Sequence, residues 1–217
     1  MEHLELVDRI YAKVKQMIFN QELKQGQKIV QEKLAAELGV SRSPLLKALQ
    51  RLDAEMLVES IPRRGMYVKS IDMDELVDIF ECRAVLEGLS ARLVAQRITP
   101  DRLKKLKACF KPFEGKSEIK MEAYAKADRQ FHSLILDWSG NKVIGQLEVI
   151  SNVHLRAMQA GLLRSPEETL SEHQAIIEAI ENQDGERAEA EMRNHIVMSI
   201  EDAIQTLSGK GLEEREV

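Results

Sequence analysis

The chain is poor in the residues that build disulfide scaffolds, β-rich cores and membrane spans. It has two cysteines, Cys82 and Cys109, and no paired-cysteine motif. That sets aside a disulfide framework and a cysteine-ligated metal, and predicts reduced thiols in a cytoplasmic protein. Aromatics amount to only 4% while Leu, Ile, Ala, Glu and Lys abound, a balance that favours helices. No apolar run approaches the roughly 20 residues that span a bilayer. The amino terminus also lacks a signal-peptide layout, so no membrane association is expected. A positive excess is missing too, since the net charge is −5. Taken whole, that speaks against a nucleic-acid partner. Taken by segment it does not: residues 1–70 hold 12 Lys and Arg against 9 Asp and Glu, a net +3, and the rest holds −8.

What is present is most pointed at residues 34–49. Leu34, Ala35 and Leu38 give one helix an apolar face, and Gly39 can take the left-handed conformation that ends it. Val40 plugs the corner. Ser41 is an N-cap candidate, with Leu45, Ala48 and Leu49 at helical spacing behind it. This is the layout of a helix-turn-helix, whose second helix enters the DNA major groove. A helical hairpin that never meets DNA can share it. The next segments favour DNA: Met56–Glu59 reads as a strand, Pro62-Arg63-Arg64-Gly65 as a basic turn, and Met66–Val68 as the returning strand. Together they form a winged helix whose tip brings Arg63 and Arg64 near phosphates or the minor groove.

Leu6, Ile10, Val14, Met17 and Ile18 make one stripe of a first helix over residues 4–19, and Gln25-Gly26-Gln27 is a turn. Ile71-Asp72 marks a boundary, with Asp72 as N-cap. Beyond it the pattern predicts helices near 72–96, 100–112, 117–138, 141–163, 166–182 and 184–208, and a frayed tail from Gly209. The expected fold is mainly α: a winged helix-turn-helix with a small β-hairpin over residues 1–70, then an all-α antiparallel helical bundle over residues 71–217.

Three features break the amphipathic pattern of the bundle, where a polar group needs a partner. Asp128 and His132 lie one turn apart on the face carrying Ala125, Ile135 and Leu136. His173 belongs to the stripe of Leu170, Ile176, Ile177 and Ile180, and His195 follows Ala188 and Met192. One carboxylate and three imidazoles on convergent faces make a plausible metal shell with open positions. Buried His–Asp hydrogen bonds are the plainer alternative. Arg83 stands among Leu76, Ile79, Leu86 and Leu93. It pairs either with Glu87 one turn on or, by a bidentate contact, with a carboxylate ligand.

These residues also carry a resemblance. The chain resembles the GntR family of bacterial transcription regulators, in the branch with an FCD (FadR C-terminal domain) bundle. In the head the markers are Leu34-Ala35, Leu38-Gly39-Val40-Ser41-Arg42-Ser43-Pro44, Ala48-Leu49, Leu52, Leu57-Val58 and Arg64-Gly65. In the body they are Arg83 with Leu86-Glu87, Asp128 with His132, Gly140-Asn141, Glu172-His173 and Met192-Arg193 with His195. The resemblance implies a homodimer on a near-palindromic double-stranded DNA operator. It also implies a divalent metal on Asp128, His132, His173 and His195, and a small organic acid between that metal and Arg83. Zinc is the first choice of metal, with nickel, manganese and iron also suited. Six bundle helices match the shorter variety of the domain. The head departs from the family at Leu46, where relatives usually carry Arg, and at Glu32, where many are basic. DNA contacts are therefore expected from Arg42, Ser43, Lys47, Arg51, Arg63, Arg64 and Gly65, on an operator unlike the usual half-site. Leu46 alternatively packs beside Leu45.

Three other readings use the same residues. A metal-only sensor needs all of them except Arg83. A metal-dependent enzyme would use an open metal position, but no general base or nucleophile set accompanies the ligands. A structural metal would leave the cavity empty. Asn152, His154 and Arg156 are further candidates to line that cavity.

Overall fold

The computed structural model describes residues 2–70, 73–144 and 164–213. The chain divides into two compact units, Met1–Asp72 and Met73–Val217. The described residues are mostly helical, with one small antiparallel sheet among them.

The first unit runs α1 (Glu2–Phe19), β1 (Lys28–Ile29), α2 (Gln31–Leu38), α3 (Arg42–Ala54), β2 (Val58–Ile61) and β3 (Gly65–Val68). Ile10, Val14, Met17 and Ile18 of the α1 stripe are buried and Leu6 is half-buried beside them, and Val14 packs with Leu45, Ala48, Leu49 and Leu52 of α3 in one core. Gly39 sits at φ 66°, and the following Val40 N–H returns to the Ala35 carbonyl at 3.0 Å, which stops α2 and turns the chain into α3. Ser41 occupies the N-cap position of α3, but its side chain makes no capping hydrogen bond, contrary to the sequence expectation.

The wing is as anticipated, with β2 pairing β3 from Val58↔Val68 to Ile61↔Gly65. The strand begins two residues later than the sequence suggests, because Met56 takes a left-handed φ of 59° after α3. A third strand, β1, adds to the free side of β3. At two residues it is too short to show an alternation in sequence.

The second unit holds α4 (Met73–Ala95), α5 (Pro100–Phe110), a 3-10 turn (Lys111–Phe113), α6 (Met121–Trp138), α7 (Pro166–Glu181) and α8 (Gly185–Glu213). Thr99 caps α5 and Ser165 caps α7 in a full capping box with Glu168. Helix α6 starts four residues later than expected. Helix α8 continues through Gly209 to Glu213 instead of fraying there, since glycine weakens a helix by only about 1 kcal/mol and does not forbid it. The Asp72 cap and, past residue 144, the expected helix over 141–163 fall outside the described residues. At its start, Asn141 Oδ1 accepts the backbone N–H groups of Val143 and Ile144 at 3.0 and 3.3 Å.

Candidate metal centre

The four sequence-predicted ligands come together from three helices. Helix α6 supplies Asp128 and His132, α7 supplies His173 and α8 supplies His195. One candidate ligand atom from each lies within 4.8 Å of the other three. Metal–ligand distances of about 2.0–2.2 Å put opposite ligands no more than roughly 4.4 Å apart, so the group would close by about half an ångström around an ion. The histidines are essentially inaccessible to solvent. His173 Nε2 is buried and lies 3.0 Å from Asp128 Oδ1, but at an angle too poor for a hydrogen bond. A buried imidazole nitrogen in that state is poorly satisfied by protein alone and suits a metal. The donor set, one carboxylate and three imidazoles, fits zinc, nickel, manganese or iron.

The other nitrogen of each ring is engaged. His132 Nδ1 bonds Glu87 Oε2 of α4. His173 Nδ1 meets the Tyr124 hydroxyl at 3.0 Å, and His195 Nδ1 meets Glu172 Oε2 at 2.7 Å. Each Nε2 is thereby the natural ligand atom, with ring orientation set from outside. Glu172 is itself gripped by the Arg164 guanidinium, with two contacts of 2.8 Å. Phe110 stacks on His173 at 4.3 Å between centroids, and Phe131 packs edge-on against the same ring. These aromatics shut water from one side of the group.

Burial and charge shape the titration of these groups. Burial holds His173 below its ordinary range, and burial with the neighbouring His173 holds His195 down to about 3, so both are neutral at pH 7. His132 differs. Burial opposes its charged form, but Glu87 and Asp128 together outweigh that and push it up to about 9. Glu172 would be raised by burial, yet its bonds to His195 and Arg164 bring it down to about 2.

Arg83 is 1% exposed, and its Nε donates to Glu87 Oε1 at 2.6 Å. The plain partner named from sequence is therefore present. What sequence spacing misses is that the other oxygen of Glu87 holds His132. Tyr124 and Glu172 were missed as outer partners as well. Tyr124 stands one turn before Asp128 on the same face of α6, a spacing that could have found it. Asn152, His154 and Arg156 lie outside the described residues.

Two family models cover most of the chain. The model described as "Bacterial regulatory proteins, gntR family" matches residues 6–68, and the FCD domain model matches residues 78–198. The chain belongs to the GntR family and carries an FCD domain. It is 29% identical over 212 residues to the HTH-type transcriptional regulator LutR of Bacillus subtilis, covering 87% of this chain and 96% of that one. It is 32% identical over 117 residues to the Nta operon transcriptional regulator of Aminobacter aminovorans, covering 54% and 56%. The solved structure of E. coli McbR/YncC shares the fold, with a TM-score of 0.72, 20% identity, and coverage of 93% and 98%. Family and relatives are transcriptional regulators, which removes the enzyme reading.

In the GntR head, the face of α3 away from the core carries Arg42, Ser43, Leu46 and Lys47, all exposed. Arg42 pairs with Glu32 at 2.9 Å, both well solvated, so the pair is weak and exchangeable. Leu46 is 40% exposed while Leu45 is fully buried, so Leu46 does not join the core beside it. Arg51 is placed differently: it forms an ion pair with Asp8 and lies 4.1 Å over the Tyr11 ring, tying α3 to α1. At the wing tip Arg63 and Arg64 are exposed, with φ 64° at Arg63 and 101° at Gly65 making the turn. No helix among the described residues is long and apolar enough to cross a membrane.

Proposed function

We propose that this protein is a cytoplasmic, ligand-responsive transcription factor that binds a near-palindromic operator as a homodimer. In this reading residues 1–70 are the DNA-binding domain, and residues 71–217 bind metal and effector and dimerise. Arg42, Ser43 and Lys47 of α3 meet the major groove, and Arg63, Arg64 and Gly65 meet the backbone. Arg51 contributes chiefly by positioning α3. The observation carrying the metal is the buried group of Asp128, His132, His173 and His195, with all three Nδ1 atoms engaged elsewhere.

Charge supports an anionic effector. Asp128, Glu87 and Glu172 supply three negative charges, and Arg83 and Arg164 supply two positive ones. Among the described residues, the proton on His132 brings the metal-free sum to zero, and a divalent ion replacing that proton leaves one positive charge in a buried setting, where a small carboxylate is favoured. The metal supplies a Lewis-acidic position, and Arg83 supplies hydrogen-bond donors. The acid alters operator affinity only by the difference in its affinity for the DNA-competent and DNA-incompetent states.

The test is operator affinity of zinc-loaded protein across a panel of mono-, di- and hydroxycarboxylic acids. At least one acid should change it by five-fold or more, and substitution of Arg83 should remove that response. If metal alters DNA binding but no acid does, and Arg83 is dispensable, the protein is a metal-only sensor.

A further inference from the structure

The two oxygens of one buried carboxylate point at two different functional groups. Glu87 is 1% exposed; Oε1 accepts from Arg83 Nε and Oε2 bonds His132 Nδ1. Glu172 supports His195 in a similar way, with the Arg164 guanidinium on both of its oxygens. Among the described residues, Glu87 joins a metal-ligand candidate to the arginine proposed for the effector. Its Arg83 contact spans one helical turn of α4, and its His132 contact crosses 45 residues to α6.

We infer that Glu87 is a positioning residue through which Arg83 acts on the metal. This rests on the metal reading above but needs no effector. The physical reason is shared charge. A carboxylate that bonds the outer nitrogen of a ligating histidine fixes its tautomer and raises its basicity, and losing such a partner typically weakens metal binding 10–100-fold. A guanidinium on the same carboxylate draws part of that negative charge away from His132. Whatever changes the hold of Arg83 on Glu87 therefore changes the ligand strength of His132, without moving any metal ligand. By reciprocity, filling the metal site changes what Arg83 offers to an incoming anion.

A double-mutant cycle on the full chain tests this with zinc alone, its affinity read by competition with a chromogenic chelator. Glu87→Gln keeps the side-chain shape and removes the charge. The pH-independent zinc affinity, taken from the plateau at high pH, should fall 10–100-fold. Arg83→Met should change affinity at least five-fold when Glu87 is present and less than two-fold in the Glu87→Gln background. The cobalt(II)-loaded forms add a readout that a general loss of stability would not move: their ligand-field spectrum should shift for Arg83→Met only when Glu87 is intact. Arg83→Met alone strands a buried carboxylate and can fail to fold, whereas the double variant removes both charges together. If the single variant does not fold, Arg83→Gln, which is neutral yet can still donate a hydrogen bond to Glu87, takes its place in the same cycle. Effects of the two substitutions that add within two-fold, or an unchanged zinc affinity in Glu87→Gln, overturn the relay while leaving the metal site standing. Absence of zinc binding in the unaltered protein overturns the metal reading, and the relay with it.

Discussion

Zinc loading of the metal-free protein is expected to expel about one proton at pH 7. Of the three histidines, His173 and His195 are already neutral there, because burial holds both down. His132 is not: Glu87 and Asp128 overcome the effect of burial and push it up to about 9. A metal can take Nε2 of His132 only after that nitrogen gives up its proton. A raised value means the metal-free site holds the proton tightly, so proton and metal compete, and metal affinity falls as pH falls. One competing proton makes apparent affinity rise about ten-fold per pH unit between roughly pH 6.5 and 8.5, levelling near 9. His195, held down to about 3, adds no competition in that window. Calorimetric titration in buffers of different ionisation enthalpy counts the released protons, and chelator competition at four pH values gives the slope. A flat affinity across the window with no proton release would refute the charge assignment at His132. A slope of two would mean a second histidine is protonated in the metal-free state.

Three further outcomes follow from the same geometry. Zinc at 100 times its dissociation constant should stabilise the fold by about 2.7 kcal/mol, read as a rise in melting temperature that Asp128→Ala and His173→Ala both abolish. Leu46→Ala should leave stability within about 0.5 kcal/mol, because the side chain is exposed. It should nevertheless change the base preference recovered by selection from a random duplex pool, and an unchanged preference would remove Leu46 from the groove. Replacing Arg63 and Arg64 with Ala should weaken binding about equally across sequences and flatten the salt dependence by roughly two units of slope per subunit, about four for the homodimer. A sequence-selective loss would instead place the wing on base edges.

The helix-turn-helix was legible in the sequence because its signals are local. The apolar spacing in α2 and α3 and the left-handed Gly39 need only a few neighbouring residues to act. The same holds for the stripe of α1 and for the inward faces carrying Asp128, His132 and His173. The failures were local too, but energetically slight. Ser41 sits at an N-cap without bonding as one, β1 is two residues long, and Gly209 bends no rule by staying helical. Helical periodicity states which way a residue faces and nothing about what it meets. The partners of the three Nδ1 atoms lie 45, 49 and 23 residues from their histidines, on α4, α6 and α7. Sequence therefore determined the two folds and the donor types of the site. Tertiary packing decided the slide and rotation of one helix against another, to within ångströms, and so decided that Glu87 touches both Arg83 and His132. A hydrogen bond requires that precision; a hydrophobic stripe does not.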